Sequence, residues 1–444
     1  MSVQTPGTRW YNAVWRWHFY AGLLCIPFVL WLAFTGSIYL WKPQIESLLD
    51  RPYDHLSASG PRLSPERQVA AALAAVPGST LRKYQLAEND AQAVRIIVGK
   101  SDQQIRVYVN PYTGAILKTI GEEDQPMRVV FHLHGELMAG ALGSYLVEIA
   151  ACWAVVMLLT GLYLWWPRKR RGLAGVLYPR LRGGKRVFWR DLHAVAGIWV
   201  SVFALFLIVT GLPWAKAWGE YFKEVRQVTG TLDGPQDWTI GGRAPESDEH
   251  AEHHAHAALP VRTGPGQLDN VVTAVVDLGI APPVMIAPPR AAPGAWTVTS
   301  DAANRPLRTR LTIDGATGRI LSRKDFGQRH WIDRAVGYGI AAHEGALFGV
   351  ANQLLGTATA LFLMLLAVSG AILWWRRRPE GLLGAPIPLR RPRFGPVLIL
   401  AIALLGFLMP LFGATLLAVL LVERLLLRRL PRARRWLGLS PAPA

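Results

Sequence analysis

Four segments of this 444-residue chain are apolar over a length that crosses a lipid bilayer, and this property constrains the fold more than any other. A helix rising about 1.5 Å per residue needs roughly 20 apolar residues to span a hydrocarbon core about 30 Å thick. The segments lie within residues 1–41, 129–167, 191–215 and 336–376. With 51% hydrophobic residues and 18 tryptophans, the chain is too apolar for an ordinary soluble enzyme. We predict an α-helical integral membrane bundle with four core transmembrane helices.

Basic residues indicate the orientation of this bundle. The formal net charge is +18, and Arg and Lys cluster beside the apolar segments, above all in loop 168–190. This pattern is typical of cytoplasmic loops and not of a nucleic-acid-binding surface. We expect a bacterial inner-membrane protein with a cytoplasmic N-terminus and two globular periplasmic domains, residues 42–128 and 216–335. Residues 377–395 and 428–444 are then a cytoplasmic loop and a basic cytoplasmic tail.

An additional apolar stretch, residues 396–427, follows the four core segments and contains Pro410. Arginines flank it on both sides. A single span would leave one basic flank outside the cell, whereas a short hairpin turning near Pro410 would keep both flanks in the cytoplasm. The charge pattern favours the hairpin although each of its arms is brief for a span, so both alternatives stay open.

The chain repeats itself at a long period. Eighteen residues separate His18 from Gly36 and His193 from Gly211, and twenty-seven separate His134 from Gly161 and His343 from Gly370. The outside domains repeat as well, because residues 109–117 (VNPYTGAIL) match residues 313–321 (IDGATGRIL). We predict a tandem duplication of the unit helix, outside domain, helix.

The four histidines are the candidate binding residues. An ionisable side chain in a membrane segment is costly and therefore marks a functional site by default. His18 and His193 lie at the predicted cytoplasmic ends of their segments, and His134 and His343 lie at the outer ends. Each pair can face across the bundle, and imidazoles from facing helices are common axial ligands of haem iron. A helix-packing role is the alternative, which the repetition of both pairs makes weaker.

The two cysteines exclude covalent haem attachment. Cys25 and Cys152 both lie inside apolar segments and form no Cys-x-x-Cys-His sequence. The predicted cofactors are therefore two non-covalent b-type haems.

Other residues near the histidines have two open interpretations. Gly22 and Gly197 follow His18 and His193 by one helical turn, where they could admit a porphyrin or serve close helix packing. Arg16 and Arg190 are near enough in sequence to meet haem propionates; interfacial arginines are common without such a role.

The outer pair is predicted to stand at or above the lipid headgroups. Thirty-two residues separate His134 from Trp166 and His343 from Trp375. If each segment is one continuous helix, this corresponds to about 48 Å, which exceeds the hydrocarbon thickness.

Three further features have undecided roles. His132 is an alternative haem ligand without a partner in the repeat. Glu148 serves proton transfer, packing or, as we favour, a hydrogen bond to a neighbouring helix. The histidine-rich run 249–256 either binds a transition metal or is an incidental surface loop.

The chain resembles the PepSY-associated transmembrane family. The resemblance covers nearly residues 10–380 and rests on the membrane histidines, the Asn/Asp-x-x-Thr-Gly-x-Ile-Leu ends of the outside domains, and the helix exits Trp165-Trp166-Pro167-Arg168 and Trp374-Trp375-Arg376-Arg377. Within that family the chain is similar to inner-membrane ferric-siderophore reductases. The resemblance implies PepSY-like periplasmic domains, two b-type haems on the four histidines, and a haem-dependent enzyme that reduces a ferric siderophore or similar chelate. A cytoplasmic reductase or quinol would supply the electrons.

Two alternatives remain open. The electron acceptor could be copper or a quinone. In a different class of function, a haem-free membrane protein would bind or inhibit a periplasmic partner through its outside domains. No Gly-x-Gly-x-x-Gly motif at dinucleotide spacing is present, so nicotinamide or flavin binding is not expected.

Overall fold

The computed structural model describes residues 6–58, 60–167, 172–232, 238, 264–289, 294–389 and 395–439. In chain order the helices are α1 (Pro6–Tyr39), α2 (Lys42–Asp50), α3 (Pro65–Ala75), α4 (Pro126–Glu136), α5 (Gly140–Trp165), α6 (Gly184–Gly211), α7 (Lys216–Val228), α8 (Gln267–Val275), α9 (Trp331–His343), α10 (Val350–Arg377), α11 (Pro396–Leu408), α12 (Pro410–Val422) and α13 (Pro431–Trp436). The strands are β1 (Thr80–Gln85), β2 (Val94–Lys100), β3 (Gln103–Val109), β4 (Ile116–Gly121), β5 (Val284–Ala287), β6 (Ala295–Ser300), β7 (Thr309–Asp314) and β8 (Ile320–Asp325).

Five apolar helices within these residues are long enough to cross a membrane. Four of them belong to α1, α5, α6 and α10, and the fifth is Pro410–Leu427. The four long helices form a closed ring in which α1 packs against α5 and α10, and α6 packs against the same two neighbours. Helices α1 and α6 are therefore diagonally opposite, and side chains from both can meet at the centre. The chain is a membrane protein with a helical bundle and a separate antiparallel sheet.

Two of the segments expected as continuous helices are broken. The predicted segment 129–167 is divided into α4 and α5 because Leu137, Met138 and Gly140 have positive φ values of 52°, 57° and 55°. These left-handed residues end one helix and allow the chain to change direction. The predicted segment 336–376 is likewise divided into α9 and α10. His134 and His343 thus lie on the short helices α4 and α9, and not at the ends of continuous helices about 48 Å long.

The globular part is one sheet and not two separate domains. Its eight strands have the order β4-β3-β2-β1-β5-β6-β7-β8, with antiparallel neighbours throughout. The two halves join where β1 pairs with β5, through Tyr84↔Ile286 and Gln85↔Met285. We call the end of the bundle next to this sheet the sheet end. The opposite end, where α5 ends and α6 begins, is called the basic end.

A shared core holds the two halves of the sheet together. Helices α3 and α8 pack side by side on the same face of the sheet, with Ala72 and Val271 fully buried against the strands. The α3 helix begins with Ser64 as its N-cap, whose side chain accepts a hydrogen bond from the Arg67 backbone N–H at 3.4 Å. The buried apolar residues of both halves form a single hydrophobic cluster. Burial of this apolar surface links the halves into one unit.

The C-terminal apolar stretch turns back at Met409. Helices α11 and α12 pack together, with Gly406 close against Gly413. The chain before this pair of helices contacts the basic end through an Asn12 Nδ2 hydrogen bond to the Ile387 carbonyl at 3.0 Å. The chain after the pair returns to the same end, because Tyr20 donates to the Leu437 carbonyl at 2.5 Å. This is the geometry of a helical hairpin packed on the bundle.

The joined sheet predicts a specific cross-link. In a Gln85→Cys/Met285→Cys double variant, mild oxidation should form a disulfide, because directly paired antiparallel residues have Cα atoms about 4.5–5.5 Å apart. Mass spectrometry of unreduced digests identifies the linked peptides. Thr297→Cys/Thr312→Cys, which lies within one half, is the positive control. A cross-link in that control without one between residues 85 and 285 would contradict the joined sheet.

Candidate functional site

His18 and His193 meet at the centre of the bundle. They extend from the diagonally opposite helices α1 and α6, and their ring centroids are 6.3 Å apart with an interplanar angle of 77°. Both side chains are only half-buried although they lie between packed helices, so open space remains beside the rings. The structure therefore brings together the first pair that the sequence predicts.

The neighbouring helix α5 fixes the His18 ring. Nδ1 of His18 lies 3.0 Å from the Met157 carbonyl oxygen and 3.2 Å from the Thr160 hydroxyl oxygen. A carbonyl can only accept, so Nδ1 carries the proton. Gly161 follows, and a Cβ atom there would lie 3.1 Å from Cε1 of His18. The absence of a side chain at Gly161 lets the ring lie against the α5 backbone.

Helix α10 holds His193 in the same manner. Nδ1 of His193 lies 3.1 Å from both the Leu366 carbonyl oxygen and the Ser369 hydroxyl oxygen. A Cβ atom at Gly370 would lie 3.2 Å from Cε1 of the ring. Each of the two facing imidazoles is thus held by the next helix of the ring.

The histidines at the sheet end are held by the same device. Nδ1 of His134 lies 3.0 Å from the Thr35 hydroxyl oxygen of α1, which itself donates to a backbone carbonyl and so accepts from the ring. A Cβ atom at Gly36 would lie 3.0 Å from Cε1 of His134.

His343 repeats these contacts on α6. Its Nδ1 lies 2.9 Å from the Thr210 hydroxyl oxygen, and a Cβ atom at Gly211 would lie 3.3 Å from Cε1. The Trp214 ring also packs edge-on against His343, with 5.6 Å between centroids. His134 is thus held by α1 and His343 by the diagonally opposite helix α6, both at the sheet end of the bundle.

A hydroxyl residue followed by glycine therefore holds every one of the four rings. The four pairs are Thr35-Gly36, Thr160-Gly161, Thr210-Gly211 and Ser369-Gly370. The sequence analysis used these glycines as markers of spacing and missed their role as contacts. The signal was present, because each marker glycine has a Thr or Ser immediately before it. What the sequence alone does not contain is which histidine each pair contacts.

This arrangement leaves Nε2 of each imidazole available. Among the described residues, the hydrogen bonds of the four rings all involve Nδ1. A neutral imidazole that donates through Nδ1 has a lone pair on Nε2. Histidines that bind metals commonly donate their other ring N–H to a protein acceptor, which orients the ring. The four side chains thus have the tautomer in which Nε2 can accept a metal ion or a hydrogen bond.

The spacing of His18 and His193 fits one metal ion between them. An imidazole nitrogen lies about 2.0–2.1 Å from a bound metal, so two imidazoles on opposite sides of one ion have centroids roughly 6 Å apart. The observed 6.3 Å agrees. Within the described part of the chain, no group of three or more His, Cys, Asp or Glu could hold a metal ion. Two imidazoles alone would leave a metal under-coordinated.

The glycines proposed to admit that macrocycle have different surroundings. A Cβ atom at Gly22 would meet no atom within 4 Å, so open space lies beside α1 one turn from His18. At Gly197 a Cβ atom would touch only Leu366, at 3.5 Å. Gly22 fits a cofactor-facing position, and Gly197 equally fits helix packing.

His132 lies outside both pairs. Its Nδ1 is 2.9 Å from a Glu136 carboxylate oxygen and its Nε2 is 2.6 Å from a Glu123 carboxylate oxygen. Both ring nitrogens are occupied, so the structure does not bring this alternative ligand to the site.

The two arginines considered for propionate binding are also occupied. Arg16 donates to the Pro386 carbonyl and to the Tyr20 hydroxyl, the latter at 3.2 Å. Arg190 pairs with Asp191 at 3.0 Å. Neither guanidinium is directed by these contacts toward the facing histidines.

Glu148 makes the hydrogen bonds to a neighbouring helix that the sequence analysis favoured. This buried carboxylate in α5 accepts from the backbone N–H groups of Ala217 at 2.9 Å and Trp218 at 3.2 Å. It therefore caps the N-terminus of α7, where a negative charge is favourable. The histidine-rich run 249–256 lies outside the described residues.

The two pairs are separated by most of the membrane thickness. Thr35 follows His18 by seventeen positions in α1, and Thr210 follows His193 by seventeen positions in α6. At about 1.5 Å per residue this is roughly 25 Å. Both pairs are thus within the height of the bundle. The expectation that the second pair stands at or above the lipid headgroups assumed continuous helices, which the breaks after α4 and α9 exclude.

Comparison with known families identifies the same region. The PepSY-associated TM region matches residues 15–377, which include all four histidines. No curated protein matches the chain.

The close contact at Gly36 predicts an asymmetric response to alanine. Relative to Gly135→Ala, Gly36→Ala should lower the free energy of unfolding by about 1–3 kcal/mol, because its methyl would lie 3.0 Å from Cε1 of His134 and the ring would have to shift. Gly135→Ala is the matched control, since its Cβ has open space and alanine favours helix. Chemical unfolding in detergent measures both. Equal effects of the two substitutions would show that the glycine contact does not position the ring.

Proposed function

This chain belongs to the PepSY-associated transmembrane family, and we propose that within it the chain is a dihaem oxidoreductase that carries electrons across a membrane. The acceptor we propose is a ferric siderophore, reduced so that Fe(II) is released. The observation that supports this most strongly is the facing pair His18 and His193, with protonated Nδ1 atoms and centroids 6.3 Å apart.

The residues of the bundle suit two b-type haems. His18 and His193 would hold one, and His134 and His343 the other. A haem iron with two imidazole ligands supplies one-electron redox chemistry. The hydroxyl–glycine pairs keep each imidazole neutral at Nε2 and fixed in orientation. Imidazoles fixed in this way would move little when the iron is reduced or oxidised, which would keep the reorganisation energy of electron transfer small.

The orientation follows from the basic residues. We infer that the basic end faces the cytoplasm of a bacterial inner membrane and that the sheet lies in the periplasm. His18 and His193 would then be near the donor, a cytoplasmic reductase or a quinol. His134 and His343 would be near the periplasmic acceptor. We also infer that the chain arose by tandem duplication, which accounts for the matching histidine contacts in its two halves.

Reduction would release the iron because of its ligand preferences. Siderophore oxygens are hard ligands, which bind Fe(III) far more tightly than Fe(II). An electron delivered at the sheet end therefore weakens the complex without any bond to the organic ligand being broken.

Haem content tests this proposal directly. Protein purified from haem-replete cells should be red, with low-spin absorption bands and about two non-covalent haems per chain. His18→Ala and His343→Ala should each lose about one haem, because each removes one axial ligand. His132→Gln is the matched control and should keep both haems, since His132 is engaged by carboxylates. A colourless wild type would contradict the haem proposal and favour a haem-free function in binding a periplasmic partner.

Rapid mixing tests the acceptor. Dithionite-reduced protein should be reoxidised by its ferric siderophore, with Fe(II) trapped by a chromogenic chelator. The same siderophore loaded with Ga(III) is the control, because it has a similar shape and charge and does not accept the electron. If copper or a quinone reoxidised the protein and no ferric chelate did, the proposed acceptor would be wrong. The proposal of two haems would be unaffected.

A further inference from the structure

Arg377 lies at the basic end of the bundle, close to the elements that hold His18 and His193. It is the last residue of α10, seven positions after Gly370, the glycine that contacts the His193 ring. Seven residues are two helical turns, so Arg377 lies on the same face of α10 about 10 Å further along. Helical side chains lean toward the N-terminus of their helix, which directs Arg377 back toward the histidines.

Two aromatic rings of α1 fix the guanidinium. Its Cζ atom is 4.8 Å from the Trp15 ring centroid and 5.8 Å from the Phe19 ring centroid. These residues lie on either side of His18 in the sequence. Stacking of this kind orients the guanidinium while leaving its N–H groups free to donate at the edge.

No anion among the described residues neutralises this charge. Within that part of the chain the exposed Arg377 side chain makes no ion pair or hydrogen bond, and it stacks on the two rings. Arg186 of α6, seven residues before His193, is near enough to interact electrostatically with it. Like charges in one region repel, and a bound anion would offset that repulsion.

We propose that Arg377 binds a carboxylate of the cofactor held by His18 and His193, with Arg186 adding positive potential. This rests on the proposed function. A haem carries two propionate groups, and a guanidinium pairs with a carboxylate through two parallel hydrogen bonds. This assignment replaces Arg16 and Arg190, whose donors are used within the protein. The other source of an anion at this depth is a lipid phosphate.

Haem release separates these possibilities. Arg377→Gln should speed transfer of one of the two haems to excess apomyoglobin by about tenfold, the effect of one strong charge-assisted contact. Arg377→Lys should increase the release rate less, because lysine keeps the positive charge but cannot donate two parallel hydrogen bonds to one carboxylate. Arg378→Gln is the matched control, since Arg378 stacks on Trp374 and Trp375 of its own helix; it should release both haems at the wild-type rate.

Reconstitution with the dimethyl ester of haem tests whether Arg377 acts through a propionate. In protein reconstituted with this ester, which has no ionised propionate, wild type and Arg377→Gln should release the cofactor at the same rate. A persistent difference would overturn the proposal and indicate a lipid phosphate or a packing role. Unchanged release of natural haem by Arg377→Gln would overturn this proposal alone, whereas a colourless wild type would overturn the proposed function with it.

Discussion

The structure depends on a hydrogen bond between a histidine ring and a helix. In all four cases Nδ1 meets a Thr or Ser hydroxyl, and the glycine that follows lets the ring approach the backbone. A buried polar group without a partner would cost about 1–3 kcal/mol. These contacts satisfy Nδ1 and leave Nε2 as the remaining functional atom.

The contacts also connect successive helices of the bundle. His18 extends from α1 and is held by α5; His193 extends from α6 and is held by α10. Each histidine thus belongs to one helix and is oriented by the next, so neither site forms unless the helices pack in this order. At the sheet end, α1 and α6 reverse their roles and hold the rings of α4 and α9. The orientation of the four imidazoles and the packing of the helices therefore depend on each other.

Much of this was predictable from the sequence, and the remainder has physical reasons. The spacing of His18, His134, His193 and His343 identified both pairs, because ionisable residues in apolar segments are rare. The break before Gly140 was missed, since hydropathy averages over the left-handed residues Leu137 and Met138. The pairing of β1 with β5 was missed because strand periodicity does not specify which edges meet.

The central claim is that His18 and His193 bind one haem iron at the basic end. The planes of these two imidazole rings are 77° apart. Electron paramagnetic resonance of the oxidised protein tests this claim most directly. Two nearly perpendicular imidazoles on one ferric haem should give a low-spin signal of high anisotropy, and that signal should disappear when His193 is replaced. Absence of any low-spin ferric signal from haem-replete protein, or a signal that survives the loss of His193 unchanged, would contradict the account.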